Sequence, residues 1–473
     1  MTYNKITPEI LEELKEIVGA ENVKTDKEKL FEYSRDESTA LTNHDKYIAE
    51  VIAAPLGAEQ VSKIMKLANK HLIPITPRGG ATGLSGGAIP AYGGIVLSDE
   101  RMNKILEIDD KNLVAIVEPG VITASINEAA AKKGLLYAGY PMSVTSCHIG
   151  GNVAENAGGA NAIKYGVTLR YVLGMEVVMP TGEILTLGGK LMKDVSGYSL
   201  KQLIVGSEGT LGYTTKITLK LQPLLKGRAD LLALFPDTDS AIAAVPRIMT
   251  EGGIVPNSVE YIDSYSYTAS CKYLKSKLPT EGVGAVLLIQ LDGTNNESLK
   301  IDADIVKEIC KKSGAQDIFV AKDEEEAESL WAIRRNIDTA LRETDPIQSD
   351  QDTVVPISSI PEFDREIKKI AQIYDVKITM FGHAGDGNLH PTILKKDGIS
   401  MEEWEILNKE IEGEIFKMTT RLNGKISGEH GIGIKRKEFF EKLSDKTELE
   451  VLKTIKKALD PNNILNPGKI FDL

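Results

Sequence analysis

Cysteine is nearly missing: Cys147, Cys271 and Cys310 are the only three in 473 residues, far apart and with no C-x-x-C pair. That usage suits a reducing cytoplasm, the expected location, and excludes an iron–sulfur cluster held by this chain alone. No run of 18 or more apolar residues occurs, so no membrane span is expected. The opening MTYNKITPEI lacks the apolar centre of a signal peptide. Basic runs are absent too, and the net charge is −12, which argues against nucleic acid as a partner. An anionic ligand would therefore need a local cationic pocket. The nicotinamide fingerprint G-x-G-x-x-G is missing, as are internal repeats and low-complexity linkers. What remains is ordinary globular composition, 42% hydrophobic and 26% charged, in a chain long enough for two or three domains.

Histidine is scarce as well, with six residues, yet two of them bracket one glycine-rich stretch, MFGHAGDGNLHPTI. A helix would separate His383 and His390 by roughly 10.5 Å along its axis, and one strand by about 23 Å. A shared metal with bonds of roughly 2.0–2.1 Å tolerates neither. Only a fold-back works, and AGDGN between apolar flanks is turn chemistry. The expectation is a hairpin of KITMFGH and LHPTIL with both imidazoles near its mouth. On residue type alone Asp386 and Asn388 are turn formers.

TPEILEELKEIVG predicts a helix capped by Thr7, with Pro8 in the first turn and Ile10, Leu14, Ile17 and Val18 as its apolar stripe. Residues 58–70 predict a second helix, leading into the strand LIPITP. From there to about residue 222, short β-rich runs alternate with glycine-heavy loops. A second block follows, with a helix (DSAIAAVPRIMTEG), a strand (GAVLLIQLDG), helices at about 296–313 and 324–342, the strand DTVVPI and a helix at 361–374. With the hairpin, this order predicts an α+β cap packed on one face of an antiparallel sheet. The tail DPNNILNPGKIF reads as extended.

PRGGATGLSGG (77–87) directly follows a predicted strand. Its glycines let backbone N–H groups turn inward toward an anion such as pyrophosphate. One such loop alone would more simply be a flexible surface loop. Two further loops, SCHIGGNVAENAGG (146–159) and VGSEGTLGYTT (205–215), change that weighting. Three within about 140 residues suggest a long dinucleotide threaded through the domain.

These motifs, with GHAGDGNLH, SGEHGIG and NPGKIF following in order, resemble the FAD-dependent D-2-hydroxyacid dehydrogenases of the vanillyl-alcohol-oxidase flavin superfamily, of the glycolate oxidase and D-lactate dehydrogenase type. The resemblance runs from about residue 50 to Phe471. It implies a two-part FAD-binding domain over 1–224, the α+β cap over 225–424, and a C-terminal segment, 425–473, that returns to the FAD domain. It assigns the pyrophosphate loop to Pro77, Arg78, Gly79, Gly80, Ala81, Thr82, Gly83 and Ser85. The flavin and ribityl contacts fall on Pro141, Met142, Ser143, Thr145, Gly150, Gly151, Asn152 and Ala154. Glu118, Pro119, Glu208, Gly212, Asn388 and Asn466 also lie near the cofactor by that likeness. Ala81 stands where some superfamily members carry an attachment histidine, so non-covalent FAD is expected, with His148 as the other attachment candidate.

In ISGEHGIG, Glu429 and His430 are adjacent, and adjacent side chains usually diverge, one toward a metal and the other toward substrate. The resemblance makes His383, His390 and Glu429 the metal ligands and His430 the proton acceptor. Such a set suits zinc, iron, manganese or cobalt and leaves positions open for a 2-hydroxy acid. Each member has a plainer reading, a structural histidine or a surface carboxylate. The clustering of four of six histidines in glycine-flanked motifs favours the site. In LWAIRRNID the resemblance makes Arg334 the substrate-carboxylate arginine, whereas Arg335 reads as a solvated helix face. By the resemblance, relatives acting on dicarboxylic substrates carry a lysine, and many others an arginine after the VVP strand, near positions held here by Asp350 and Ile357. The departure favours a small monocarboxylate such as D-lactate, with Thr392 as an added contact. Electrons would pass to a protein partner, electron-transferring flavoprotein first and an iron–sulfur subunit second. Two other readings stay open: a metal-independent sugar or aldonolactone oxidase on the same fold, and a non-catalytic flavin relay subunit.

Overall fold

The computed structural model describes residues 2–38 and 46–473. The chain forms two compact units, one of residues 1–159, 166–224 and 429–473, the other of 160–165 and 225–428.

The first unit holds two main sheets. In the four-stranded one, Ile95–Ser98 lies between Val51–Ala53 and Ile75–Arg78, parallel to both, and the short strand Val23–Lys24 closes one edge antiparallel. Helix Pro8–Val18 starts where expected, with the Thr7 side chain accepting the Ile10 N–H. Its Ile10, Leu14 and Val18 pack with Val61, Ile64 and Met65 of helix Ala58–His71 in one core. The second sheet is five-stranded and antiparallel, ordered Ile105–Asp109, Val114–Val117, Tyr213–Lys220, Val172–Val178 and Ile184–Gly188. The tail is extended, as its sequence suggests. Ile75 donates its N–H to Ile464 O and Asn466 donates back to Ile75 O, so the tail lies along the edge strand Ile75–Arg78. Lys456, on helix Lys446–Leu459, anchors it: its buried Nζ donates to Asp460, to Leu465 O (2.8 Å) and to Thr210 O (2.7 Å).

The second unit is built on an antiparallel sheet of eight strands. Its long path runs Asp317–Val320, Gly227–Phe235, Ala285–Gly293, Ser258–Asp263, Lys377–His383, Asn388–Leu394 and Gln348–Asp350. Helices cover both faces rather than one. Ile262 packs in a core with Tyr267, Trp331, Ile337 and Leu341. Its strand neighbour Tyr261 faces the other way, its hydroxyl 3.0 Å from Thr238 Oγ1, which donates to Asp364 of helix Ile360–Tyr374. The signal was present in LLALF and AVLLI, uninterrupted apolar runs of the kind found in strands buried on both sides. The helix expected over 324–342 is two, Glu324–Arg335 and Ile337–Thr344, because Asn336 leaves helical geometry between them and its Nδ2 donates to Ala332 O. Among the described residues no helix is long and apolar enough to cross a membrane.

The hairpin turn tolerates little. Gly387 has φ +84°, and an added Cβ would lie 1.9 Å from Val355 O. Gly387→Ala combines left-handed strain of about 1–2 kcal/mol with that collision. We expect a loss of at least about 2 kcal/mol in denaturant unfolding; an unchanged midpoint would mean that the turn is not held as described.

Candidate active site

Hairpin register brings the two imidazoles to one face. Phe381 stands opposite His390, and His383 opposite Asn388, so Phe381, His383 and His390 share a side of the sheet. The histidine rings meet edge to face with centroids 5.6 Å apart. On the other flank His383 faces Glu260 of strand Ser258–Asp263. Glu260 Oε1 lies 2.6 Å from His383 Nδ1, and its Oε2 accepts from Arg334 Nε at 2.7 Å. Glu260 is 1% exposed. Burial would push its carboxyl up, but His383 and Arg334 outweigh that and hold it at about 2. Arg334 also lies over the Phe381 ring, 4.9 Å from its centre. Arg335 bonds the exposed Glu328 at 2.7 Å, the surface role read from its sequence.

The chain entering Glu429 is tied to the hairpin end by one carboxylate. Asp352, fully buried, accepts from Asn388 Nδ2 (2.7 Å), Ser427 Oγ (2.6 Å) and Gly428 N (2.9 Å). Gly428 has no room for a side chain, since a Cβ would lie 2.3 Å from Asn388 Nδ2. Glu429 is the next residue. One ligand atom from each of His383, His390 and Glu429 falls within 4.8 Å of the others, a donor set fitted to a divalent cation. Glu429 and His430 do not diverge as expected: both line one cavity, and His430 Nε2 is 3.4 Å from Glu429 Oε1. The segment is a series of bends rather than a strand, so alternation does not apply.

That cavity belongs to the first unit and is walled by all three glycine loops. Of the residues expected to touch cofactor, all but Ser85, Glu118, Thr145 and Asn388 line it. Glu118 instead accepts the Lys104 N–H, and the Asn388 amide is committed to Asp352 and Thr353 O. The glycines divide by role. A Cβ at Gly80 would lie 2.7 Å from Ser146 O and one at Gly150 2.6 Å from Pro119 Cβ, so these two let loop approach loop. At Gly151 a Cβ would meet nothing within 4 Å, and this glycine keeps open the wall on which a cofactor would lie. Small, mostly uncharged groups and inward backbone fit a dinucleotide. The Arg78 guanidinium is turned to the carbonyls of Arg35 and Glu32, so its loop offers an anion backbone rather than that charge.

Several groups carry roles that the sequence did not give them. His148 lines the cavity with Nδ1 2.8 Å from Asp99 Oδ1; burial lowers its basicity, but Asp99 more than restores it. Glu208 does more than approach the cofactor: its two oxygens accept the Ile432 and Gly433 N–H groups, each at 2.7 Å, fixing the loop after His430. Glu155, also in the cavity wall, is pushed well above the carboxylate range by burial and by Glu208. Glu260 was readable, being a carboxylate inside the otherwise buried strand SVEYID, which demands a partner; only register names that partner.

Residues 49–188 match the FAD binding domain family, and residues 226–470 match the family described as FAD linked oxidases, C-terminal domain. The glycolate oxidase subunit GlcD of Bacillus subtilis (strain 168) is 41% identical over 98% of this chain and 97% of its own length. The D-lactate dehydrogenase of Anaerostipes hadrus is 37% identical over 99% and 98%. The D-2-hydroxyglutarate dehydrogenase of Stutzerimonas stutzeri (strain A1501) is 34% identical over 98% and 99%. Among solved structures, 4-ethylphenol oxidase from Gulosibacter chungangensis superposes with a TM-score of 0.79 at 19% identity, covering 100% of this chain and 99% of that one, a likeness of fold. Glycine loops around one cavity, the antiparallel cap sheet and these matches place the chain among the FAD-linked oxidases of the vanillyl-alcohol-oxidase type, in the family of glycolate oxidase subunit GlcD and the FAD-dependent D-2-hydroxyacid dehydrogenases.

Proposed function

We propose that the protein oxidises a small D-2-hydroxy acid, D-lactate before others, to the 2-oxo acid, using non-covalent FAD and one divalent metal ion. The observation that carries this reading is the convergence of His383, His390 and Glu429, with Glu429 and its neighbour His430 in the wall of the glycine-loop cavity. FAD-linked oxidation of 2-hydroxy acids is the chemistry named for the relatives; the metal, the substrate size and the acceptor are finer steps argued from residues.

The glycine loops would hold FAD, which when bound supplies a two-electron acceptor for the hydride leaving Cα. His383, His390 and Glu429 would hold the cation, which supplies Lewis acidity at the substrate hydroxyl. His430 takes the hydroxyl proton, a task suited to imidazole near neutral pH. Arg334, its Nε committed to Glu260, offers its two terminal amino groups to the substrate carboxylate. Near Thr392, Asp350 accepts the threonine hydroxyl at 2.9 Å and adds no cation for a second carboxylate, which favours lactate over hydroxyglutarate. The chain carries no nicotinamide fingerprint, so electrons leave to a second protein, with electron-transferring flavoprotein favoured and the cytoplasm as the setting.

Anaerobic D-lactate should bleach the flavin's visible absorbance. Chelation should abolish the bleaching, added zinc, manganese or cobalt should restore it, and D-2-hydroxyglutarate should act far more slowly. Bleaching that survives verified metal removal would refute the metal's role and revive the sugar-oxidase reading. His430→Ala should cut the rate constant of bleaching by about 10²–10⁴-fold while FAD and metal contents stay at wild-type levels; an unchanged rate would remove His430 from the chemistry and favour a relay subunit. Reduced protein should be reoxidised by electron-transferring flavoprotein in stopped flow faster than by oxygen alone, and no acceleration would exclude that partner.

A further inference from the structure

We infer that Glu260 is a positioning residue serving both halves of substrate capture: it sets the tautomer of His383 toward the cation and holds the Arg334 fork toward the carboxylate. The inference rests on the proposed role of His383 as a metal ligand and extends it to a residue that itself touches neither substrate nor metal.

Three donors meet Glu260: His383 and Arg334 from other elements, and its strand neighbour Ser258, whose Oγ donates to Oε1 at 3.1 Å. Its Oε1 is 2.6 Å from His383 Nδ1 and its Oε2 2.7 Å from Arg334 Nε, in a side chain 1% exposed. An ionised carboxylate accepts only, so Nδ1 must carry the ring proton and Nε2 must carry the lone pair that binds a cation. A carboxylate behind a ligating imidazole also fixes the ring plane and raises its basicity. The Arg334 bond uses Nε alone, a side-on grip that fixes the guanidinium plane and directs the terminal amino groups away from Glu260. Phe381 completes the arrangement, lying beneath Arg334 and beside His390 with ring centres 5.8 Å apart. One buried carboxylate thus spans from the metal-binding hairpin to helix Glu324–Arg335.

Glutamine separates these roles from simple packing. Its amide has one acceptor and one donor end, whereas His383 Nδ1–H and Arg334 Nε–H both donate. Presenting the NH2 to His383 forces the wrong tautomer, with the proton on Nε2; presenting it to Arg334 sets donor against donor. Glu260→Gln in the FAD-loaded full chain should weaken cobalt or zinc binding, measured by competition with a chelating dye, by roughly 10–100-fold. It should also raise the KM for D-lactate more than it lowers kcat at saturating metal. Arg334→Lys should raise KM while leaving metal affinity at the wild-type value. Should Glu260→Gln fold poorly, the double variant Glu260→Met/Arg334→Met replaces the ion pair with apolar groups of similar length, an exchange that buried pairs often tolerate. It should retain the melting temperature and still lose metal affinity. Wild-type metal affinity in either Glu260 variant, or a change in KM without one in metal affinity, would overturn the inference. A wild-type protein that binds no divalent ion would overturn the metal reading as well, and that result appears before any variant is made.

Discussion

The site depends on the register of one β-hairpin. His383 and His390 reach the same face because Phe381 pairs with His390 and His383 with Asn388; a slip by one residue would turn one imidazole into the opposite core. Burial alone does not enforce this, since every residue of Asn388–Leu394 is buried and burial does not distinguish its two faces. Register comes instead from polar devices at the hairpin end: the left-handed Gly387 under Val355 O, and Asp352 binding Asn388, Ser427 and Gly428 together. The same carboxylate fixes the chain one residue before Glu429. Hairpin register and the path of the chain into Glu429 are therefore one constraint.

Charge burial follows a common pattern in the two units. Lys456, 3% exposed, is met by Asp460 and two carbonyls. Glu260 is met by His383 and Arg334. Both groups reach segments distant in sequence, Lys456 through Thr210 O and Glu260 through His383 and Arg334. Lys469 shows the cost when compensation is incomplete. Fully buried and bonded to Ile89 O and Asn466 Oδ1, it is pushed by burial down to about 7 despite the nearby acids Asp36 and Glu208. Buried ions are poor sources of net stability and good sources of unique geometry, a division that fits an enzyme whose loops must be held rather than merely packed.

Legibility in the sequence followed the range of the interactions. Helices written by caps and periodicity were read closely: Thr7 capping Pro8–Val18, the helix Ala58–His71, and the hairpin announced by AGDGN. Errors arose where long-range contacts decide. Covering the sheet on both faces takes helices from separate parts of the chain, and the break at Asn336 comes from a single side chain turning back on Ala332. The cofactor loops were legible as composition, but composition does not separate Gly80, which admits a neighbouring loop, from Gly151, which borders open space. Glu260, in a strand, and Asp352, between two short strands, were passed over because a lone acidic residue carries no motif. Their meaning lies in register, which no local window contains.

The electrostatics of capture would give the proposed cation two tasks. Across the proposed ligand set and the groups bonded to it, the carboxylates of Glu429 and Glu260 count two negative charges and Arg334 one positive. The local sum is −1, in a chain whose total is −12. A 2-hydroxy acid brings another negative charge, so this set of side chains alone would repel it. With the proposed divalent ion the sum becomes +1, the one sign change that turns the site from repulsive to complementary for a single carboxylate. A second carboxylate would restore a negative sum unless another cation were present, and Asp350 itself adds none. On the proposed function, preference for a monocarboxylate would follow from the same charge count that gives the metal a part in binding as well as in acidifying the hydroxyl.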